Sequence, residues 1–287
     1  MGLFDGLAKM GIKNVDATEL YAEKKAQVEE AKVPVEKEIP VINESDFVFL
    51  KTYECPVCDT KYKALTMKAN KARLVSMDKD LRPIFEGVEP LKYEAVCCPA
   101  CGYSVMTKYI GPLSPSQRKP IIDNISQTFT GLEDEEVTAS YEQALERTKL
   151  ALAAAMFKRA KASEKAYICL KGGWLCRSYS ENLMPDRDNY LEIKESLKAD
   201  EKEFLDNAYE GFINARQSED FPIAGMDSVT LDYLIAVMAI DRDQFDVASK
   251  MLAGVIQNPN ANTKIKDKAR ALKDELVIKI KERKAAQ

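Results

Sequence analysis

Two Cys-Pro-x-Cys turns constrain this chain more than anything else in it. They are Cys55-Pro56-Val57-Cys58 and Cys98-Pro99-Ala100-Cys101, with 39 residues, Asp59 to Cys97, between them. Two thiolates two residues apart can grip one ion from a tight turn whose backbone N–H groups point at the sulfurs, and proline fixes φ within it. The residue after the second cysteine often takes a positive φ, which glycine adopts freely and aspartate tolerates. Those residues here are Gly102 and Asp59. Two such turns supply four soft ligands in a tetrahedron, at roughly 2.3 Å from a zinc ion. The chain has no histidine, so an all-cysteine shell is the only complete one this segment can build. Cys55, Cys58, Cys98 and Cys101 are therefore the expected ligands of a closed, structural metal site.

The metal is expected to be zinc, held as in a zinc ribbon. A rubredoxin-like iron site uses similar turns, and a pair of redox dithiols is the other reading. A thioredoxin-like dithiol would need one such pair in a βαβ setting, which this segment lacks. Cys97 overlays Glu54 when the two turns are superposed. Adjacent side chains on an extended run point oppositely, so Cys97 is expected to face away from the metal.

The missing histidine also removes Ser-His and Cys-His nucleophile pairs and the usual proton shuttle near neutral pH, which lowers the expectation of an enzyme. Net charge is −4 on 287 residues, with acids and bases spread along the chain. That balance gives no general attraction to nucleic acid or to an acidic membrane. The longest apolar run, Leu150 to Phe157, is too short to span a bilayer. No signal peptide is read at the N-terminus. Seven cysteines without an export signal suggest a reducing, cytoplasmic compartment.

Three regions follow. Residues 1–46 read as a tail and linker, interrupted by Pro34 and Pro40. Within it Leu3, Phe4, Leu7 and Met10 share one face of a short helix, either a frayed end or a docking segment. Residues 47–112 read as a β-rich, zinc-ribbon-like domain with a strand before and after each cysteine turn, and residues 64–77 as a further strand pair. Residues 113–287 read as helical, with Ser114, Thr138 and Ser163 as candidate N-caps. The expected fold class is α+β, mostly α.

Three of the helices share one spacing. Tyr141, Ala144, Thr148 and Ala151 recur at steps of three, four and three, as do Leu205, Ala208, Phe212, Ala215 and Phe245, Ala248, Leu252, Val255. Small residues on such a face let a neighbouring helix approach while the large ones fill the gap. This resembles the second helix of a tetratricopeptide repeat. The first helices would then carry Leu170, Gly173, Trp174 and Leu234, Ile235, Ala236, and Pro259 falls where a repeat ends. An ordinary helical bundle is the alternative. Trp174, Cys169 and Cys176 are expected in the core.

The segment from Cys55 to Tyr103 resembles the hallmark of a bacterial family, domain of unknown function 2225. The matching elements are both cysteine turns, the Asp-x-Asp-Leu-Arg-Pro stretch (Asp78, Asp80, Leu81, Arg82, Pro83) and the Pro-x-x-Tyr step (Pro90, Tyr93). The helical runs around Trp174 and from Leu231 to Leu252 are also similar to that family. The sequence departs from the family's usual helix start at Gly172-Gly173-Trp174. The resemblance implies a cytoplasmic protein with a zinc-ribbon-like head and tetratricopeptide-like helices, and implies little about activity.

The leading functional expectation is a non-enzymatic adaptor that binds a protein or peptide through its helices. One alternative is a nucleic-acid-binding regulator using Lys61, Lys63, Lys68, Lys71 and Arg73 with Tyr62. Another is an enzyme using Asp78 and Asp80. Against that last reading, Asp78, Asp80 and Arg82 are expected to form a locally paired polar turn.

Overall fold

The computed structural model describes residues 43–132 and 137–285. The expectations for residues 1–42 lie outside them. The chain is about 58% helical, with small antiparallel sheets, so it is α+β and mostly α. Among the described residues six short strands form three hairpins: β1 (Val48–Glu54) with β2 (Lys61–Met67), β3 (Leu74–Met77) with β4 (Pro83–Phe85), and β5 (Ala95–Cys97) with β6 (Ser104–Met106). β2 and β3 fall in the run expected to pair with itself. Instead β2 returns along β1, with Leu65 opposite Leu50, and β3 pairs with β4. Each cysteine turn needs its own hairpin, and that requirement claims β2 for β1.

The helices are α1 (Pro115–Ile121), α2 (Tyr141–Phe157), α3 (Ala162–Asn182), α4 (Tyr190–Ser218), α5 (Ser228–Ile240), α6 (Phe245–Gln257) and α7 (Thr263–Ala285). Ser114 caps α1 in a capping box with Gln117. For α2 the cap is Ser140, not Thr138. Its hydroxyl accepts from the Gln143 N–H at 3.1 Å, and the Gln143 amide oxygen accepts from the Ser140 N–H at 3.0 Å. Ser163 does not cap α3 either, because it lies one residue inside the helix. Its N–H and hydroxyl both donate to Glu219, just past the end of α4. A carboxylate thus sits at the N-terminus of α3, where the helix dipole favours it.

From α2 to α7 each helix packs on the next. The small residues of the repeated spacing are buried: Ala144, Thr148 and Ala151 on α2, Ala208 and Ala215 on α4, and Ala248 on α6. Gly172 and Gly173 let α3 and α4 come together. A β-carbon at Gly172 would lie 2.8 Å from the Phe204 ring, and one at Gly173 would lie 2.7 Å from Leu205. The Gly-Gly-Trp departure therefore marks a close approach of these two helices, as does Gly211 of α4 against Ala166 of α3, where a β-carbon would lie 2.8 Å away. α5 is buried from Tyr233 to Ile240 and forms the centre of the main core. No described helix is long and apolar enough to cross a membrane.

A two-stranded hairpin is marginal alone, and the helices support both faces of β5–β6. Val96, Tyr103 and Val105 pack with Ile121, Ile125 and Ala154, while Ala95 and Met106 pack with Ala151, Ala155 and Ile168. The Ser104 hydroxyl donates to the Arg147 carbonyl of α2 at 2.7 Å.

Candidate metal centre

The two cysteine turns are built alike. Cys55 N–H donates to Thr60 O at 3.0 Å, and Asp59 N–H donates to Cys55 O at 2.9 Å. In the second turn Cys98 N–H donates to Tyr103 O at 2.9 Å, and Gly102 N–H to Cys98 O at 2.9 Å. Asp59 has φ of 60° and Gly102 of 71°, the left-handed geometry anticipated for both positions. At Gly102 there is also no room for a side chain, since a β-carbon would meet the Phe129 ring at 2.6 Å. Gly102→Ala is expected to lower stability by about 2 kcal/mol or more, from the left-handed φ and the clash. Urea denaturation would show it as a lower midpoint.

The turns bring Cys55, Cys58, Cys98 and Cys101 together, with all four sulfurs within 4.8 Å of one another. Cys55 and Cys101 are 3.6 Å apart, and so are Cys58 and Cys98. A tetrahedron with metal–sulfur bonds of roughly 2.3 Å has sulfur–sulfur edges of about 3.8 Å. The four thiols therefore fit a single ion and could bind one. Backbone N–H groups point at the sulfurs, as with Val57 to Cys55 at 3.4 Å.

The thiols also have an electrostatic need for a cation. The neighbouring Cys101 thiol and burial push Cys55 far up. Burial pushes Cys98 up to about 11, against the N–H groups of Ala100 and Cys101. At Cys58 burial is outweighed by hydrogen bonds from Thr60, which hold it down at about 7. Four thiolates this close repel one another, so metal uptake must displace protons. Affinity is therefore expected to rise with pH through the Cys58 and Cys98 values and on toward that of Cys55, and titration calorimetry in two buffers would read the released protons.

Cys97 is not among the converging thiols. It is half-buried, and burial pushes it up to about 12. Cys169 and Cys176 are buried in the helical core, where burial pushes each up to about 12. All three are poorly reactive thiols by that measure.

Asp78, Asp80 and Arg82 do more than pair locally. Arg82 is 3% exposed. Its Nε donates to Asp78 at 2.7 Å, as expected, but its terminal nitrogen reaches Glu181 of α3 at 2.7 Å. Asp80 is 6% exposed, accepts from Trp174 Nε1 at 3.0 Å and pairs with Arg177 at 2.9 Å. Arg177 also reaches Asp78 at 3.2 Å and Glu201 of α4 at 2.7 Å. From the same turn, Lys79 Nζ reaches Glu275 of α7 at 2.7 Å, and Tyr233 of α5 donates to the Lys79 carbonyl at 3.1 Å. The loop between the two cysteine turns is thus docked onto three helices, α3, α5 and α7, and through Arg177 is linked to a fourth, α4. Trp174, Arg177 and Glu181 recur at steps of three and four on α3. That one face carries a base, an acid and the only tryptophan of the chain was the available signal.

The basic strip is partly neutralised. Lys61 lies opposite Glu54, and Arg73 pairs with Glu86 at 3.2 Å. Tyr62 is buried and stacked on Tyr53, so it offers no open ring to a base.

No curated protein and no solved structure matches the chain. The family model described as "Uncharacterized protein conserved in bacteria (DUF2225)" matches residues 48–276, a span that takes in both cysteine turns, the docked loop and the helices from α1 into α7. The chain belongs to that family.

Proposed function

We propose that this protein is a non-enzymatic, metal-stabilised adaptor of the bacterial cytoplasm. In this reading residues 47–112 are a zinc-ribbon-like domain, and residues 113–287 are a tetratricopeptide-like array that binds a protein or peptide partner. Cys55, Cys58, Cys98 and Cys101 hold one structural zinc ion. The observation that carries the reading is the closed set of four thiols on hairpins that pack against the helices. With all four positions taken by protein, no coordination site is left for a substrate. Support for a structural role of Asp78 and Asp80 comes from their engagement by arginine and Trp174. Support for the array comes from the serial packing of α2 to α7 and the buried small residues.

The test is co-purification from bacterial cells, with and without nuclease. A protein partner that survives nuclease and is lost on zinc chelation is the expected result. Recovery of nucleic acid alone, abolished by nuclease, would favour the regulator instead.

A further inference from the structure

An open groove runs along α4, with α2 and α3 on its other sides. It has a volume of about 740 Å³ and is lined by Leu152 and Met156 of α2, Lys165 and Ala166 of α3, and Glu203, Asn207, Glu210, Ile213 and Asn214 of α4. In the repeat reading α2 and α4 are second helices, so the groove is walled by second helices with a first helix at its floor. Its α4 wall repeats polar residues at steps of four, three and four: Glu203, Asn207, Glu210, Asn214. The reverse side of the same helix carries Phe204, Ala208, Phe212 and Ala215 and is buried. A stripe with core periodicity that is polar and exposed has been left facing something other than the core.

Charge pairing separates this stripe from its surroundings. Asp200 is held by Lys149 at 2.7 Å, Glu201 by Arg177 at 2.7 Å, and Asp206 by Lys202 and Arg242 at 2.7 and 2.6 Å. Glu203 and Glu210 have no ion-pair partner among the described residues, and both are exposed. One cation, Lys165, lies in the groove with them. Met156, at 61% exposed, is an unburied apolar side chain on the facing wall.

Resting on the adaptor reading, we infer that this groove binds a basic peptide segment, with lysine or arginine side chains on Glu203 and Glu210 and an apolar side chain against Met156 and Leu152. The two carboxylates are seven residues apart, about 10 Å along the helix. A peptide in the polyproline II conformation repeats every three residues, at about 9 Å, so cations at every third position fall on one side of it and match them. Asn207 Nδ2 donates to the Glu203 carbonyl at 2.9 Å and Asn214 Oδ1 accepts from Ser218 at 3.3 Å, which leaves Asn207 Oδ1 and Asn214 Nδ2 as the amide atoms suited to a peptide backbone.

The test uses the full chain and short fluorescent peptides with lysine at every third position and leucine between, beside glutamate and serine counterparts. Anisotropy is expected to show binding of the lysine peptide only, weakening with added salt. Glu203→Gln with Glu210→Gln should weaken it about tenfold, equivalent to ~1.4 kcal/mol. Glu192→Gln with Glu195→Gln, an equal charge change on exposed positions of the same helix, should leave it unchanged. Equal losses in the two double variants would overturn the assignment to this groove. Binding of the serine or glutamate peptide in preference would overturn the charge chemistry and leave the adaptor reading standing. If no peptide of any charge binds, the inference falls, and the adaptor reading is decided by the co-purification.

Discussion

Cys98→Ser is expected to abolish metal binding and unfold the β-rich head. Cys98 is fully buried and is one of the four converging thiols, 3.6 Å from Cys58. Structural zinc contributes on the order of 10 kcal/mol to the folding of small all-protein sites. Beside the metal, the hairpins have only their packing against the helices and the docked β3–β4 turn to hold them. The head's own apolar cluster includes Cys55, Cys98 and Cys101 themselves, so the metal site is part of its core. Amide exchange should therefore collapse over β1 to β6. α5 and α6 should keep most of their protection, because their core is made by other helices. Cys97→Ser tests the contrast in the adjacent residue. It should keep the metal and cost under about 1.5 kcal/mol, since a half-buried side chain of similar size is exchanged. Equal damage from both substitutions would mean that the turn matters through packing and not through its ligands.

Asp80→Ala should be the most damaging change outside the metal site, at about 3–5 kcal/mol. Asp80 is nearly buried, and its removal strands the Trp174 N–H and one arm of Arg177. Breaking a buried pair costs more than the pair is worth, because the remaining charge stays desolvated. Asp80→Asn keeps an acceptor for Trp174 and loses only the charge, so about 1–3 kcal/mol is expected. Denaturant unfolding of the zinc-loaded protein reads both. The order Ala worse than Asn belongs to a hydrogen-bonded staple. Were Asp80 a solvated turn residue, both substitutions would fall within about 0.5 kcal/mol of wild type.

Local chemistry was legible in the sequence wherever it depends on a few adjacent residues. The positive φ at Asp59 and Gly102 follows from the turn spacing alone, and the helical character of residues 113–287 from periodicity. Caps were less legible, because a hydroxyl near a helix start has several candidate roles. Thr138 lost its place to the Ser140–Gln143 pair, and Ser163 lost its place to Glu219, more than fifty residues away in sequence. The docked loop was half legible. The Arg82 to Asp78 pair is local, whereas the bonds to Trp174, Arg177 and Glu181 need the tertiary fold to bring β3–β4 onto α3. Burial of Tyr62 was missed because a tyrosine between two lysines looks exposed. The strand alternation that puts both lysines outward points the ring inward, onto Tyr53.

The account rests on four thiols sharing one ion. The most direct measurement is elemental analysis of the purified chain beside its Cys98→Ser variant. One zinc ion per chain in the first and none retained in the second is the result predicted. Unchanged metal content in the variant would contradict the four-thiolate site.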